Sequence, residues 1–163
     1  MANLVQVRVD FRLVHGQVVT RWRQFYSLTK CIIVDDVLSK DEFLSQVYVS
    51  AAPPDMKVKV YSEDKTVRLW EKNQYGEGNV LLLLNNVAGC LRLAERGVKL
   101  PFVQLGGLPA AAGRRLVMTA VSLSEEEFEQ LSRLQNEFGV EVYAQVTPEG
   151  QRMSFSEIAK KFQ

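Results

Sequence analysis

The chain has 163 residues, 47% of them hydrophobic, and a formal net charge of +1. This predicts a single globular domain over residues 1–163 and excludes a disordered chain. The nearly neutral charge gives no general attraction to nucleic acid or anionic membranes. The longest apolar run, NVLLLLNNVAGC, is too short and too interrupted to span a bilayer, and MANLVQVRVD lacks the features of a signal peptide. We therefore expect a soluble, cytoplasmic protein.

Short apolar, β-branched runs recur along the chain and predict seven strands. They are Val5–Val9, Cys31–Val34, Lys57–Val60, Asn79–Leu84, Pro101–Leu105, Leu116–Ser122 and Val140–Gln145. Several of these runs are apolar almost throughout, which is typical of parallel strands covered on both faces.

Segments of helical period lie between the predicted strands. Their apolar faces are Val18, Trp22 and Phe25; Leu44, Tyr48 and Ala51; Val87, Leu91 and Ala94; and Phe128, Leu131, Leu134 and Phe138. Capping boxes are predicted at Ser39 with Glu42, Ser124 with Glu127, and Ser154 with Glu157, and Gly97 and Gly139 follow two helix ends. The alternation predicts an α/β fold with an open, mostly parallel sheet of about seven strands and helices on both faces.

Cofactor signals are weak throughout the chain. Cys31 and Cys90 lie far apart among apolar neighbours, which is typical of buried thiols and not of a disulfide or a metal pair. Gly106 and Gly107, at a strand end, suggest a phosphate cradle, but a bare Gly-Gly pair is weak support. Neither a Walker-type lysine motif nor G-x-G-x-x-G is present, so we expect no nucleotide, no metal and no other cofactor.

The only histidine, His15, lies in the stretch RVDFRLVHGQVVTRW. If the first strand ends at Val9, residues 10–15 form the loop at its carboxyl end, where ligands gather in open α/β sheets. A helix predicted from Gly16 would present free N–H groups and favour an anion beside the loop.

The residue types in this loop suit phosphoryl transfer. A neutral imidazole such as that of His15 is a nucleophile near physiological pH. Arg12 can offer a planar fork of donors to phosphate oxygens, and Asp10 can hold one ring nitrogen while the other attacks. The alternatives are an ordinary surface or core histidine, a solvated Arg12, and Asp10 as an N-cap or turn residue.

The motif Arg-Val-Asp-x-Arg-Leu-Val-His-Gly-Gln-Val, which begins at Arg8, resembles the active-site motif of a known family. The family is the enzyme IIB subunit of the mannose/fructose/sorbose-type bacterial phosphotransferase system (PTS). Similar segments are IIVDDVLSKDEF, AAPPDMKVKVYS, VLLLLNNVAGCLRLAERGV, LPFVQLGG and AVSLSEEEFEQLSRLQNEFGVEVYAQVTP, so the resemblance runs from about Val5 to Pro148. It implies a mostly parallel α/β sheet and phosphotransferase activity without metal or nucleotide.

The resemblance also implies roles and partners. His15 would take a phosphoryl group on Nδ1 from a phosphohistidine of a IIA subunit and pass it to a sugar held by the IIC and IID membrane components. Arg12 matches the arginine that steadies the phosphoryl group. Asp10 and Gln17 match neighbours of the active loop, and Gly16 and Gln17 are candidates for phosphoryl or partner binding. Both a monomer and a homo-oligomer remain open.

Two segments depart from the family pattern. Phe11 stands where the family has a polar Asp or Asn, so it either packs inward or belongs to a contact patch. Leu108–Ala112 also differs, either as a tolerated loop change or as a reshaped docking face. The residues after it, Arg114 and Arg115, resemble a Lys-Lys element and are candidates for phosphoryl or partner binding.

These departures motivate a second hypothesis, a regulatory phosphoprotein of an incomplete pathway that keeps the phosphate on His15 and delivers none to a sugar. A third hypothesis, a nucleotide-binding α/β protein, would require binding of ATP or NAD.

Overall fold

The computed structural model of the chain describes residues 3–16 and 18–163. The strands of this part are β1 Asn3–Asp10, β2 Lys30–Val34, β3 Lys57–Tyr61, β4 Asn79–Leu84, β5 Phe102–Gly107, β6 Arg114–Met118, β7 Val121–Ser124, β8 Glu141–Gln145 and β9 Arg152–Ser154. The α-helices are α1 Arg23–Tyr26, α2 Glu42–Ser50, α3 Glu63–Asn73, α4 Val87–Glu95, α5 Glu125–Glu137 and α6 Phe155–Lys160. A π-helix covers Val18–Trp22 and a 3₁₀ helix covers Leu38–Lys40.

Seven strands form one sheet in the order β3-β2-β4-β1-β5-β8-β9. The pairs from β3 through β8 are parallel, and β9 is antiparallel to β8 at one edge. The predicted open, mostly parallel α/β sheet is therefore confirmed. Because β1 lies between β4 and β5, the loop that follows it emerges near the centre of the sheet, at the carboxyl ends of the parallel strands.

The predicted strand Leu116–Ser122 is wrong as one strand. The segment forms two antiparallel strands, β6 and β7, in a separate two-stranded sheet, and Ala120 in the turn between them has φ +71°. A parallel strand needs a long crossover, whereas this segment doubles back at once and pairs with itself. The short edge strand β9 was not predicted.

Two hydrophobic cores cover opposite faces of the sheet, as predicted for a sheet with helices on both sides. One core contains Val87, Leu91 and Ala94 of α4 and Leu131 and Leu134 of α5, and the other contains Leu13, Val14, Val18 and Leu38. Cys31 belongs to the second core and Cys90 to the first, and both thiols are free and buried, as predicted. Burial raises the pKa of each thiol to about 12, which keeps them protonated at neutral pH.

The predicted apolar face of α2 is only partly covered: Tyr48 is half-buried and packs against the second core. None of the α2 residues is buried, Leu44 is 46% exposed and Ala51 is exposed as well. The N-cap is Asp41, whose Oδ1 accepts the Leu44 N–H at 2.9 Å, and not Ser39, which lies one 3₁₀ turn earlier. The helix therefore starts later than predicted, and Phe43, Leu44 and Val47 are exposed to solvent.

Most of the other helix signals hold. Two of the three predicted capping boxes, Ser124 with Glu127 and Ser154 with Glu157, are present, and Phe138 from the predicted apolar face of α5 is exposed. Trp22 is buried, as predicted, but Phe25 from the same predicted face is exposed. None of the helices in the described part of the chain is long and apolar enough to cross a membrane.

Candidate functional site

A row of polar side chains runs along one face of the central strand β1 toward the His15 loop. Gln6, Arg8 and Asp10 occupy alternate positions, so they point to the same side of the sheet, and all three are fully buried. Val7 and Val9 point to the opposite face and join the core there. The last member of the row, Asp10, ends the strand and begins the loop.

The backbone of the loop is held by both short- and long-range hydrogen bonds. The Leu13 N–H donates to the Asp10 carbonyl at 3.0 Å, and the Phe11 N–H donates to the Gly107 carbonyl on β5 at 2.9 Å. Leu13 has φ +58°, a conformation that costs a non-glycine residue about 1–2 kcal/mol. Its side chain is buried in the core, which holds the backbone in this strained turn.

The Asp10 carboxylate joins the charged groups of the loop. Its Oδ1 accepts the backbone N–H of Arg12 at 3.1 Å and Arg12 Nε at 3.2 Å. Its Oδ2 lies 3.0 Å from His15 Nε2 and 3.3 Å from Arg12 Nη2. The structure therefore brings together the three residues that the sequence assigned to the reaction, Asp10, Arg12 and His15.

These contacts determine the protonation state of the Asp10 carboxylate and the tautomer of the His15 ring. Burial raises the pKa of Asp10, but hydrogen bonds from His15 and Arg12 and the charge of Arg8 outweigh it and lower that pKa from 3.8 to about 2. Asp10 is thus ionised at neutral pH and can only accept hydrogen bonds. In the neutral ring of His15 the hydrogen therefore lies on Nε2, and Nδ1 keeps its lone pair.

Arg12 and Phe11 form the exposed part of the loop. The Arg12 side chain is 41% exposed, whereas only 16% of the His15 side chain is accessible. The guanidinium carbon of Arg12 lies 5.7 Å from the centroid of the Phe11 ring, within cation–π range. Phe11 is 48% exposed, so it does not pack inward.

Phe11 also lines a groove of about 580 Å³ beside the loop. Val37 and Leu44 contribute exposed apolar surface to this groove, and Asp36 and Asp41 contribute carboxylates. The interpretation of Phe11 as part of a contact patch therefore agrees with its surroundings.

Gly106 and Gly107 make room for the polar row of β1. A Cβ at Gly106 would lie 2.1 Å from the guanidinium carbon of Arg8, and a Cβ at Gly107 would lie 2.9 Å from Asp10 Oδ1. Both distances are too short for real contacts, so a side chain at either glycine would displace the charged group. The two glycines thus leave room for the buried side chains of Arg8 and Asp10.

His15 is followed by an exposed glycine and a short helical segment. A Cβ at Gly16 would meet no atom within 4 Å, so its surroundings are open. The Gly16 carbonyl accepts the Thr20 hydroxyl at 2.7 Å. Gln17 lies outside the described residues. The expected regular α-helix is instead a π-helix, Val18–Trp22, followed by the single turn α1; π-helical turns are frequent at functional sites.

Arg114 and Arg115 contact parts of the chain other than the His15 loop. Arg114 donates to the Pro109 carbonyl at 2.9 Å and to Glu127 of α5 at 3.1 Å. Arg115 pairs with Glu125 at 3.5 Å and lies over the ring of Phe162. Their proposed part in phosphoryl or partner binding stays a prediction, and the observed contacts anchor the β6–β7 hairpin to α5 and the C-terminal residues.

The segment Leu108–Ala112 divides into two parts. Leu108 is buried, and its N–H donates to the Ala120 carbonyl at 2.9 Å, which ties β5 to the hairpin. Residues 109–112 are exposed. Only these exposed residues are free to vary without disturbing the core.

Sequence reasoning missed the buried partners beneath the loop, above all Arg8 and Gln104. Arg8 Nη1 donates to Gln104 Oε1 at 2.6 Å, and Gln104 Nε2 donates to the Tyr143 hydroxyl at 3.1 Å. Burial lowers the pKa of Arg8 to about 10, with Asp10 opposing the shift, so Arg8 stays charged at neutral pH. The available signal was the strict alternation Val-Gln-Val-Arg-Val-Asp in a strand at the centre of a parallel sheet, where both faces are normally apolar.

The described residues 3–16 and 18–163 contain no group of three or more His, Cys, Asp or Glu side chains arranged to hold a metal ion. The contacts of Asp10 place the imidazole of His15 and the guanidinium of Arg12 together in the loop at the carboxyl end of β1.

Comparisons with known proteins identify the family of the chain. Residues 4–163 match the family model of the PTS system sorbose subfamily IIB component. The crystal structure of manxB from Thermoanaerobacter tengcongensis superposes with a TM-score of 0.92 at 34% identity, covering 99% of this chain and 98% of that chain. The sorbose-specific EIIB component of Klebsiella pneumoniae is 32% identical over 132 residues, 81% of this chain and 80% of that protein.

A further relative is longer than this chain. The mannose-specific EIIAB component of Escherichia coli strain K12 is 34% identical over 135 residues, 83% of this chain but only 42% of that protein. The chain thus spans less than half the length of that relative.

These similarities define the class of the protein: the fold is that of a IIB component of the phosphotransferase system, a class of phosphotransferase subunits. Within that class, the chain belongs to the sorbose subfamily. The resemblance noted from the motif at Arg8 is confirmed.

Proposed function

We propose that the chain is the phosphoryl-carrying IIB subunit of a sugar phosphotransferase system and forms one IIB domain in the cytoplasm. It receives the phosphoryl group on His15 from a IIA subunit and delivers it to a sugar held by a IIC/IID permease. The observation that best supports this function is the 3.0 Å contact between His15 Nε2 and the buried Asp10 carboxylate. This contact leaves Nδ1 free to act as the nucleophile. The EIIAB name of the mannose-specific relative supports a IIA subunit as the donor.

The proposed transfer conserves atoms and charge. The Nδ1 lone pair of His15 attacks the phosphorus of the donor's phosphohistidine. A new P–N bond forms, and the old P–N bond breaks with its electron pair returning to the donor ring. The His15 ring then carries a positive charge with its hydrogen still on Nε2, and Asp10 stabilises that charge. In the second transfer a sugar hydroxyl attacks the phosphorus, the P–N electrons return to Nδ1, and the hydroxyl proton passes to a base at the sugar site.

Arg12 is proposed to stabilise the phosphoryl oxygens. Its contacts with Asp10 use the side-chain Nε and Nη2, and 41% of the side chain remains exposed at the loop surface. A guanidinium has five N–H donors, so further donors are available to an anion that enters beside His15. Phosphoryl transfer depends mostly on such positioning and charge stabilisation.

The groove next to the loop is proposed to belong to the partner-binding surface. Exposed apolar side chains, such as those of Phe11, Val37 and Leu44, mark interaction sites when they are grouped together. A donor or acceptor that reaches Nδ1 must cover the loop, and the groove adjoins it through Phe11.

The first experiment follows phosphate through the two transfers. The chain is incubated with phosphoenolpyruvate, enzyme I, the phosphocarrier and its IIA subunit, and we expect one acid-labile phosphate, located on His15 by mass spectrometry. His15→Ala should carry none while keeping the parent's circular dichroism spectrum. Membranes that contain the IIC/IID permease and its sugar are then added, and sugar phosphate should appear as protein-bound phosphate disappears. Phosphate retained by His15→Ala would overturn the proposal.

The second stage also distinguishes the regulatory alternative. The exposed ring of Phe11 beside Arg12 favours that alternative, since an apolar group at the site excludes water from a phosphorylated ring. If the phosphate remains on His15 in the presence of permease and sugar, the chain is a regulatory phosphoprotein and not a transport subunit.

A further inference from the structure

Arg8 lies fully buried beneath the His15 loop and makes four polar contacts with its guanidinium. Nη1 donates to Gln104 Oε1 at 2.6 Å and to the Gln145 carbonyl at 3.0 Å. Nη2 donates to the Val146 carbonyl at 2.9 Å and lies 3.5 Å from Asp10 Oδ2. A single side chain therefore connects the carboxylate of the site to the carbonyls at the end of β8.

The space around Arg8 suits a planar cation. Its guanidinium carbon lies 5.2 Å from the centroid of the Trp22 ring, and the missing side chain of Gly106 leaves room for it against β5. Trp22 Nε1 donates at 3.1 Å to the Val146 carbonyl, which Arg8 also contacts. The guanidinium is thus fixed by packing as well as by hydrogen bonds, unlike the exposed guanidinium of Arg12.

We propose that Arg8 is a positioning residue for the phosphoryl-transfer reaction: it holds Asp10 Oδ2 against His15 Nε2 and thereby keeps the hydrogen on Nε2 and the lone pair on Nδ1. The role of Arg8 in phosphoryl transfer rests on the proposed function of His15 as the phosphoryl carrier. Arg8 acts through Asp10 and touches neither the ring nor the phosphoryl group.

An incoming phosphoryl group affects the contacts of Arg12 with Asp10 differently from the contact of Arg8 with Asp10. Arg12 is exposed, and its fork is attracted to the phosphoryl oxygens, so its contacts with Asp10 weaken during the reaction. Arg8 is tied to Gln104 and to two backbone carbonyls and cannot follow. Arg8 therefore supplies the cation that stays with Asp10 when Arg12 turns toward the phosphate, and the orientation of His15 is preserved.

The tautomer of His15 gives a direct test, because the chain contains one histidine and its ring nitrogens are the only imidazole signals in a ¹⁵N spectrum. At a pH where the ring is neutral, we expect the parent to be almost entirely the Nε2–H form. Arg8→Met should give a mixture of the two forms and slow phosphorylation by IIA about 10- to 100-fold, as expected when a catalytic group loses its alignment. Arg8→Lys retains the charge and should recover most of the Nε2–H population.

Two further variants separate an effect on the His15 tautomer from a general loss of stability. Leu93→Ala opens a cavity in the core on the opposite face of the sheet and should lower stability without changing the tautomer. Gly106→Ala keeps every charge but pushes the Arg8 guanidinium aside, so it should shift the tautomer as Arg8→Met does, and it decides the matter if Arg8→Met does not fold.

The outcomes separate this inference from the proposed function. A parent tautomer ratio in folded Arg8→Met or in Gly106→Ala would overturn the inference, and so would an equal shift in Leu93→Ala. If the tautomer responds as expected but His15 takes no phosphate from IIA, the positioning role holds and the proposed function fails.

Discussion

Replacing Asp10 by asparagine tests the centre of the site while preserving the shape of the side chain. The two carboxylate oxygens accept contacts from Arg12 and His15, and Asn offers one acceptor and one NH₂ donor in their place. An NH₂ at the Oδ2 position can pair with His15 Nε2 only if that nitrogen becomes the acceptor. The hydrogen of the neutral ring then moves to Nδ1, the nitrogen that must attack.

The expected loss follows from the contact that disappears. A hydrogen bond to a charged group contributes about 1.5–3 kcal/mol, and about 1.4 kcal/mol corresponds to a factor of ten in rate. Asp10→Asn should therefore slow phosphorylation of His15 by about 10- to 100-fold. The loss is at least this large, because the corresponding Asp→Asn change in serine proteases, which also imposes the wrong tautomer, costs about 10⁴.

The assay is the initial rate of phosphate uptake from IIA at pH 7, together with the ¹⁵N spectrum of the ring. Asp64→Asn is a matched control, since it removes an exposed carboxylate paired with Arg96 at 2.6 Å and should leave the rate unchanged. A folded Asp10→Asn variant that is phosphorylated at the parent rate, or that keeps the hydrogen on Nε2, would refute the reasoning.

The difference in free energy of unfolding between the parent and Asp10→Asn should depend on pH. The pKa of Asp10 falls from 3.8 to about 2 on folding, so its ionised form stabilises the fold above pH 4 by about 2 kcal/mol, and this contribution is lost as the pH falls through 2. Urea unfolding should show the stability difference between parent and Asp10→Asn shrinking by that amount between pH 5 and 2. A difference that does not change with pH would contradict the assigned pKa.

Three further predictions concern the loop itself. Arg12→Ala should slow transfer by about 10²–10³, with Arg12→Lys in between, because a lysine only partly replaces the fork; an Ala variant that transfers at the parent rate would remove Arg12 from the mechanism. Phe11→Asp should shorten the lifetime of phosphorylated His15 without partners, since it replaces a half-exposed apolar ring with a charge that repels phosphate. Loss of radioactive phosphate at neutral pH measures this, and equal or slower loss in the variant would show that Phe11 is only tolerated. Leu13→Ala should lower the free energy of unfolding by about 2–4 kcal/mol, and Leu13→Gly should be no worse, because glycine adopts φ +58° without strain. A glycine variant less stable than the alanine variant by about 1 kcal/mol or more would argue against strain at this residue.

Local patterns in the sequence were sufficient for the architecture and for the position of His15. Apolar runs alternating with helical segments predicted the parallel α/β sheet, and the end of the first run placed His15 in a loop at its carboxyl edge. The capping boxes at Ser124 and Ser154 were also predicted, because each depends on residues within one helical turn.

Tertiary structure decided the features that depend on residues far apart in the chain. The position of the Arg8 guanidinium depends on Gln104, 96 residues away, and on carbonyls that β8 brings beside β1 through β5. Gly106 is adjacent to the Arg8 guanidinium only because β5 pairs with β1. The exposure of Phe25 and Leu44 on otherwise apolar helix faces likewise follows from which surfaces the rest of the fold covers. Chain-local signals describe how each segment folds, whereas the polar site beneath His15 forms only when separate parallel strands align their side chains in register.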